Sequence, residues 1–367
     1  MAKPKFRGFA ATIAGALLLC LGAGSAMADH HAEGADDAVL TDNVAYAPFV
    51  RPDVRAYLDK LAANPRPPMT RELLAMIRKL PPEMIASQMK DDLPVGELGE
   101  IRDVTMPGPG GDMQLRLYDP RPADEREAGP VVVFYHGGAF VVGSIQTHAG
   151  LSAEMARELD LPVISVEYRL APEYPWPAAP DDAEAAARWI AENGDAFDRE
   201  FTGLIISGDS AGGNLTLVTT LALRDKPAAV PVLMQLPIYP ASDRTKTYPS
   251  GEMFAEGYGL GSGSVPKEDL YKADPESWRA SPLLADLAGL PPTVLVTASL
   301  DPLRDQGRAF AAKLVESGVS TAYYEAHGNI HGFATYRKAI PSAQNDTLAF
   351  LSLAKSMLYG PETSEGN

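Results

Sequence analysis

From Pro130 onward the chain alternates short, unbroken apolar runs with segments of helix length, and that rhythm leaves few folds open. The runs are Val131–Tyr135, Pro162–Glu167, Gly203–Ser207, Val232–Ile238, Thr293–Ala298 and Ser320–Tyr324. Between them lie Leu151–Leu159, Ala183–Glu192, Gly212–Arg224 and Gln306–Ser317, and Ser342–Leu358 reads as a closing helix. A strand that is apolar at every residue, not at every second one, is covered on both faces. The pattern therefore predicts an α/β fold with a mostly parallel central sheet flanked by helices. Ahead of it, Glu100–Met106 and Met113–Tyr118 alternate around Gly108-Pro109-Gly110-Gly111, which predicts an antiparallel pair.

The N-terminus reads as a targeting segment. Lys3, Lys5 and Arg7 precede an apolar run from Phe9 to about Leu21, too short to span a bilayer, and Ala26-Met27-Ala28 follows. This predicts a signal peptide over residues 1–28, cleaved after Ala28, and export to periplasm or medium. Cys20, the single cysteine, lies inside it and follows Leu19 rather than a small residue, which argues against lipidation. The mature chain then has neither disulfide nor thiol nucleophile. Residues 29–45 read as a flexible leader and 46–99 as an N-terminal cap segment. There Leu73, Leu74, Ile77 and Leu80 make a helical stripe over Arg71 to Leu80. Residues 100–360 form the main domain, interrupted at about 242–280 by a Gly-, Ser- and Tyr-containing insertion that could lie over the sheet's carboxyl edge.

Charge excludes some partners. Losing Lys3, Lys5 and Arg7 takes the formal net from −16 to −19. Such a field repels nucleic acid and anionic lipid and suits a small neutral substrate. No stretch beyond the signal reaches transmembrane length, so no stable membrane insertion is expected after its removal.

The chemistry concentrates at Gly208-Asp209-Ser210-Ala211-Gly212. This G-x-S-x-G follows a β-branched run, Leu204-Ile205-Ile206, and precedes a helix-length segment, the context of a nucleophile elbow. A serine in a tight strand-to-helix turn crowds the residues two before and two after it, and glycine at both places relieves the clash. His136-Gly137-Gly138-Ala139 directly follows the first parallel strand. Backbone amides exposed there can receive negative charge on a former carbonyl oxygen. Gly137, Gly138 and Ala211 are the candidate donors. A triad then needs an acid and a histidine downstream, in that order. His331 and His327 are the histidines available, and His331, in the loop after the last strand, is the expected base. Asp301 follows the Thr293–Ala298 strand and is the expected acid, with Asp305 expected to cap a helix or form an ion pair. His136, His148 and Glu167 read as structural.

With these runs on the page, a family resemblance is plain. The chain resembles the hormone-sensitive-lipase-like (family IV) esterases of the α/β-hydrolase superfamily. The resemblance rests on His136-Gly137-Gly138-Ala139-Phe140, Tyr168-Arg169-Leu170-Ala171-Pro172-Glu173, Gly208–Asn214, Asp301-Pro302-Leu303-Arg304-Asp305 and His331-Gly332-Phe333. It implies an α/β-hydrolase fold with a helical cap from the N-terminal segment, and catalytic Ser210, Asp301 and His331. It also implies amide donors from Gly137, Gly138 and Ala211, a small-molecule ester substrate of short or medium acyl chain, and no metal or organic cofactor. Ala139 departs from the third glycine that many members carry and is expected to alter pocket shape. Leu73, Met76, Phe254, Tyr258 and Trp278 are candidates for lining the pocket. Amide cleavage or deacetylation by the same groups, and a non-catalytic ligand receptor of the same fold, stay open.

Overall fold

The computed structural model describes residues 47–64, 69–260 and 269–360. The expected signal peptide and leader lie outside the described residues. In chain order the elements begin with three helices, α1 (Pro52–Ala63), α2 (Arg71–Ile77) and α3 (Pro82–Gln88). Then come β1 (Glu100–Gly108), β2 (Gly111–Asp119), β3 (Gly129–Tyr135), α4 (Ala149–Leu159), β4 (Val163–Val166) and α5 (Ala178–Glu192). The rest are β5 (Phe201–Asp209), α6 (Ala211–Asp225), β6 (Val232–Ile238), α7 (Pro249–Met253), β7 (Thr293–Leu300), α8 (Arg304–Glu316), β8 (Thr321–Ile330) and α9 (Pro341–Tyr359).

The eight strands form one sheet in the order β1-β2-β4-β3-β5-β6-β7-β8. β1 pairs antiparallel with β2, and β2 antiparallel with β4. Every other pairing is parallel. The apolar runs are continuous because alternate residues of one strand feed cores on opposite faces. Val132 and Phe134 of β3, with Ile205 of β5, pack with Leu151 and Met155 of α4 and Phe350 of α9. Val131, Val133 and Tyr135, with Leu204 and Ile206, pack with Ala183 and Ile190 of α5 and Leu215 and Val218 of α6. A third group joins α6 to Phe310 and Leu314 of α8. Each fully buried Val, Leu or Phe contributes about 1.5–3 kcal/mol, so covering both faces is what fixes the sheet.

Two expectations change here. The last strand runs beyond Tyr324 to Ile330, because a bulge keeps it paired: Ala298 faces Ala326, but Leu300 faces Ile330. Gly328 sits in that bulge at φ +76° and donates its amide to Ser299 Oγ at 2.7 Å. The stripe expected over Arg71 to Leu80 ends as a helix at Ile77; Leu74 is buried and Leu80 is exposed. α1 packs Val54, Tyr57 and Leu58 into the core beneath α9. Arg51, just before it, forms two hydrogen bonds to Asp346 of α9 at 2.6 and 3.0 Å.

Candidate active site

Parallel strands point their carboxyl ends the same way, and here each strand end delivers one chemical group. Ser210 is the first residue after β5, Asp301 the first after β7, His331 the first after β8 and His136 the first after β3. Groups far apart in sequence therefore meet along one edge of the sheet.

Ser210 occupies the elbow at φ +54°, ψ −111°, a conformation that stores about 1–3 kcal/mol of backbone strain. Its amide donates to Ile238 O at 2.9 Å, and its carbonyl accepts from Asn214 N at 3.0 Å. The glycines act as the motif requires. A Cβ on Gly208 would lie 2.5 Å from Gly212 O, and one on Gly212 would overlap Tyr135 O of β3. The elbow thus needs glycine both for its own turn and for the close approach of α6 to the neighbouring strand.

His331 Nε2 lies 2.9 Å from Ser210 Oγ, and His331 Nδ1 lies 2.8 Å from Asp301 Oδ2. Asp301 is fully buried, and its other oxygen, Oδ1, accepts the Leu303 amide at 2.7 Å. Each carboxylate oxygen therefore has a distinct partner. Burial works to lower the His331 pKa, but the charge and hydrogen bond of Asp301, with the more distant charge of Asp209, outweigh it and hold it above the ordinary imidazole value. Tyr239, the first residue after β6, packs its ring 4.9 Å from the imidazole and narrows its freedom.

The other candidates are placed elsewhere. His327 is exposed and stacks on Phe49 at 5.1 Å. Asp305 accepts Ser250 N at 2.9 Å and pairs with Arg304 at 2.8 Å, so it anchors α7 against the start of α8. Glu167 is half-buried and accepts the Ile145 amide at 2.7 Å. Phe254 is core, with Arg304 over its face and Tyr258 against its edge, whereas Met76 and Trp278 are exposed.

One expected donor is corrected. The Gly137 amide is already committed, donating to Asp209 Oδ1 at 2.7 Å, so it is not available to a substrate oxygen. Asp209 reaches it because the elbow turns the residue before Ser210 inward beneath the loop that follows β3. Among the described residues the amides of Gly138, Ala139 and Ala211, beside the elbow, donate to no acceptor. Of the expected donors, Gly138 and Ala211 keep unengaged amides and Gly137 does not, while Ala139, next along the loop, has one. Gly138 (φ +123°), Ala139 (φ +53°) and Phe140 (φ +63°) make a run of positive-φ residues that turns successive amides the same way. Gly138 is obligatory there, since a Cβ would overlap Val142 O. The loop adjoins the elbow, because a Cβ on Gly212 would also press on His136 O at 2.8 Å.

The comparisons bear on the family and the fold. The family model described as an alpha/beta hydrolase fold matches residues 132–335, more than half of the chain. The esterase LipI of Mycobacterium tuberculosis is 34% identical over 266 residues, spanning 71% of this chain and 83% of the relative. The chain belongs to the α/β-hydrolase family, among its hormone-sensitive-lipase-like carboxylesterases. The arylesterase of Saccharolobus solfataricus is another similar member, 35% identical over 291 residues, 77% of this hydrolase and 91% of that protein. Among solved structures, an ester hydrolase from the metagenome of Lake Arreo, in complex with a derivative of bipyridine phosphonate, superposes on the hydrolase with a TM-score of 0.74. The two share 34% identity over 84% of this chain and 98% of the other.

Proposed function

We propose that the protein is a serine carboxylic-ester hydrolase that cleaves small esters of short or medium acyl chain through an acyl-serine intermediate. The observation that carries this reading is the continuous relay from Ser210 Oγ through His331 to Asp301, at 2.9 and 2.8 Å. His331 Nε2 takes the Ser210 proton as Oγ attacks the ester carbonyl. Asp301 holds the imidazole in the tautomer that leaves Nε2 free and stabilises the imidazolium that forms. The developing oxyanion is received by the amides of Gly138, Ala139 and Ala211. His331 then protonates the departing alcohol, and water releases the acid through the same groups. Relatives named esterase and arylesterase support an ester substrate, and family resemblance supports the short or medium acyl chain. Residues 46–99 and 242–280 supply the cap. Within the latter, Gly259 lies beside Ile330, next to His331, which favours that position.

The decisive comparison is turnover of p-nitrophenyl butyrate against the matched anilide. Ester cleavage with negligible anilide cleavage is expected. Comparable rates would move the reading to an amidase, and no turnover by a folded protein would leave a ligand receptor. On the ester, kcat/KM should fall as pH drops through the pKa of His331, because only neutral imidazole can accept the Ser210 proton. Since that pKa is raised, the midpoint should lie above the ordinary imidazole value. A profile flat down to about pH 4 would contradict His331 as the base.

Export belongs to the same reading. It is supported by the basic start at Lys3, Lys5 and Arg7, the apolar run to about Leu21 and Ala26-Met27-Ala28. Amino-terminal sequencing of the protein secreted by a bacterial host should begin at Asp29, and an intact Met1 would count against it.

A further inference from the structure

Beneath the loop that carries Gly138 and Ala139 lies a second histidine–carboxylate pair that the relay does not use. His148 Nε2 is 3.2 Å from Asp209 Oδ1, and both side chains are buried. Asp209 Oδ1 accepts the Gly137 amide at 2.7 Å, and Tyr239 OH lies 3.4 Å from Oδ2. A Cβ on Gly137 would fall 2.5 Å from Asp209 Oδ2, so the carboxylate and the loop backbone are in tight contact. His148 occupies the position just before α4, and its side chain makes no capping bond to the helix. Its own position is fixed through Nδ1, which lies 2.8 Å from Thr147 Oγ1.

The contacts of both ring nitrogens suit a charged imidazole. The single Thr147 hydroxyl proton goes to Ser144 O at 2.9 Å, and Thr147 Oγ1 already accepts Ser144 N at 2.9 Å. With that proton on Ser144 O the remaining lone pair accepts, and His148 Nδ1 is the donor of the 2.8 Å contact. Nε2 faces the Asp209 carboxylate at 3.2 Å, where a hydrogen on the ring meets negative charge. A ring that donates from both nitrogens is an imidazolium. The Gly137 amide also lies 3.3 Å from Nε2, but the shorter bond to Asp209 takes its proton.

We propose that His148 is a positioning residue for ester hydrolysis: as an imidazolium it holds Asp209, and through Asp209 the Gly137 backbone, so that the next two amides keep the placement an oxyanion requires. This rests on the ester-hydrolase reading above. The imidazolium has a second effect. Asp209 is covalently adjacent to Ser210, and its negative charge, left uncancelled, would oppose negative charge developing on the substrate. Neutral His148 would give up the charge attraction that holds Asp209. The loop would then shift, and displacements of about 1 Å at a reacting centre can cost about a hundredfold in rate.

The surroundings of His148 are mixed in sign. Asp209 from the end of β5 and Asp92 from the N-terminal segment favour its charge, and Asp92 is itself paired to Arg337 at 2.7 Å. Glu167 after β4 is a further carboxyl whose charge acts on it. His136 after β3, with its ring 5.6 Å away, is a like group, but burial pushes its pKa down to about 3 and it stays neutral. Burial opposes the charge on His148, yet the neighbouring carboxylates outweigh it and raise its pKa. The charged form therefore persists on the acid side and is lost as pH rises through that raised value.

The test uses the full chain labelled with ¹⁵N-histidine. The His148 ring signals are identified by their absence from His148→Gln, and both nitrogens are expected at protonated shifts at neutral pH. A singly protonated His148 there overturns the proposal. In parallel, wild-type kcat on p-nitrophenyl butyrate should decline at alkaline pH. His148→Gln keeps a neutral donor toward Asp209 but no titrating proton. It should lower kcat by about tenfold with KM within about twofold, and abolish the alkaline decline. If near-UV circular dichroism shows that this variant does not fold, Thr147→Val serves instead. It removes the acceptor of Nδ1–H and should move the decline to lower pH. An alkaline decline unmoved in a folded variant overturns the proposal. The ring spectrum needs no turnover, so absence of esterase activity would strike the broader reading alone.

Discussion

Ser210→Ala is expected to lower kcat on p-nitrophenyl butyrate by about a millionfold, the scale seen when a triad nucleophile is removed from a serine hydrolase. Binding and fold should be nearly untouched. The hydroxyl makes no capping bond to α6, and its hydrogen-bond partner is His331 Nε2 at 2.9 Å. Alanine must adopt the same φ of +54°, so the strain of the elbow is unchanged. The residual rate should still exceed water by about 10³–10⁴, because the Gly138, Ala139 and Ala211 amides remain in place. Loss of labelling by a fluorophosphonate, with an unaltered circular dichroism spectrum, is the companion measurement. A folded variant retaining a tenth of the activity would place the nucleophile elsewhere.

Asp301→Asn should cost about 10⁴ in kcat at neutral pH, for a reason the hydrogen bonds make specific. Asp301 Oδ1 accepts the Leu303 amide at 2.7 Å. In the variant that N–H selects the amide oxygen and turns the NH₂ group toward His331. The imidazole must then accept at Nδ1, which puts its own proton on Nε2, against Ser210 Oγ. A ring in that tautomer cannot act as base. Asp301 is also the main group raising the His331 pKa against burial, so the acid limb of kcat/KM should move to lower pH. KM should change little. A loss of less than about a hundredfold, or an unmoved acid limb, would show that another carboxylate orients the ring.

The sequence carried the sheet well because both faces are covered. Val232–Ile238 is a strand of the same bounds in sequence and structure, and its apolar run needs no context to be read. The last strand was less legible. Gly328 and its neighbours interrupt the apolar pattern, and only the hydrogen bond to Ser299, on another strand, shows that pairing resumes at Ile330. The order of serine, acid and histidine along the chain was enough to name Ser210, Asp301 and His331, which the structure brings within hydrogen-bond distance of one another. Of the expected amides, Gly137 alone is engaged elsewhere, for a physical reason. Gly137 bonds to Asp209, which lies 72 positions away, and no spacing rule couples them. His148, read as structural, gave no local sign that it faces a carboxylate. Its signal is the 3.2 Å approach of Nε2 to Asp209, 61 positions away, which needs coordinates.

Each reacting group sits one peptide bond beyond a strand that is laddered to its neighbours. Its placement is inherited from the most deeply anchored part of the molecule, whereas Met76, Met253 and Trp278 of the segments 46–99 and 242–280 stand exposed. Substitutions that reshape those segments can therefore change which alcohol or acid fits without retuning proton transfer. Diversity of substrates and constancy of chemistry become separate evolutionary variables in one chain.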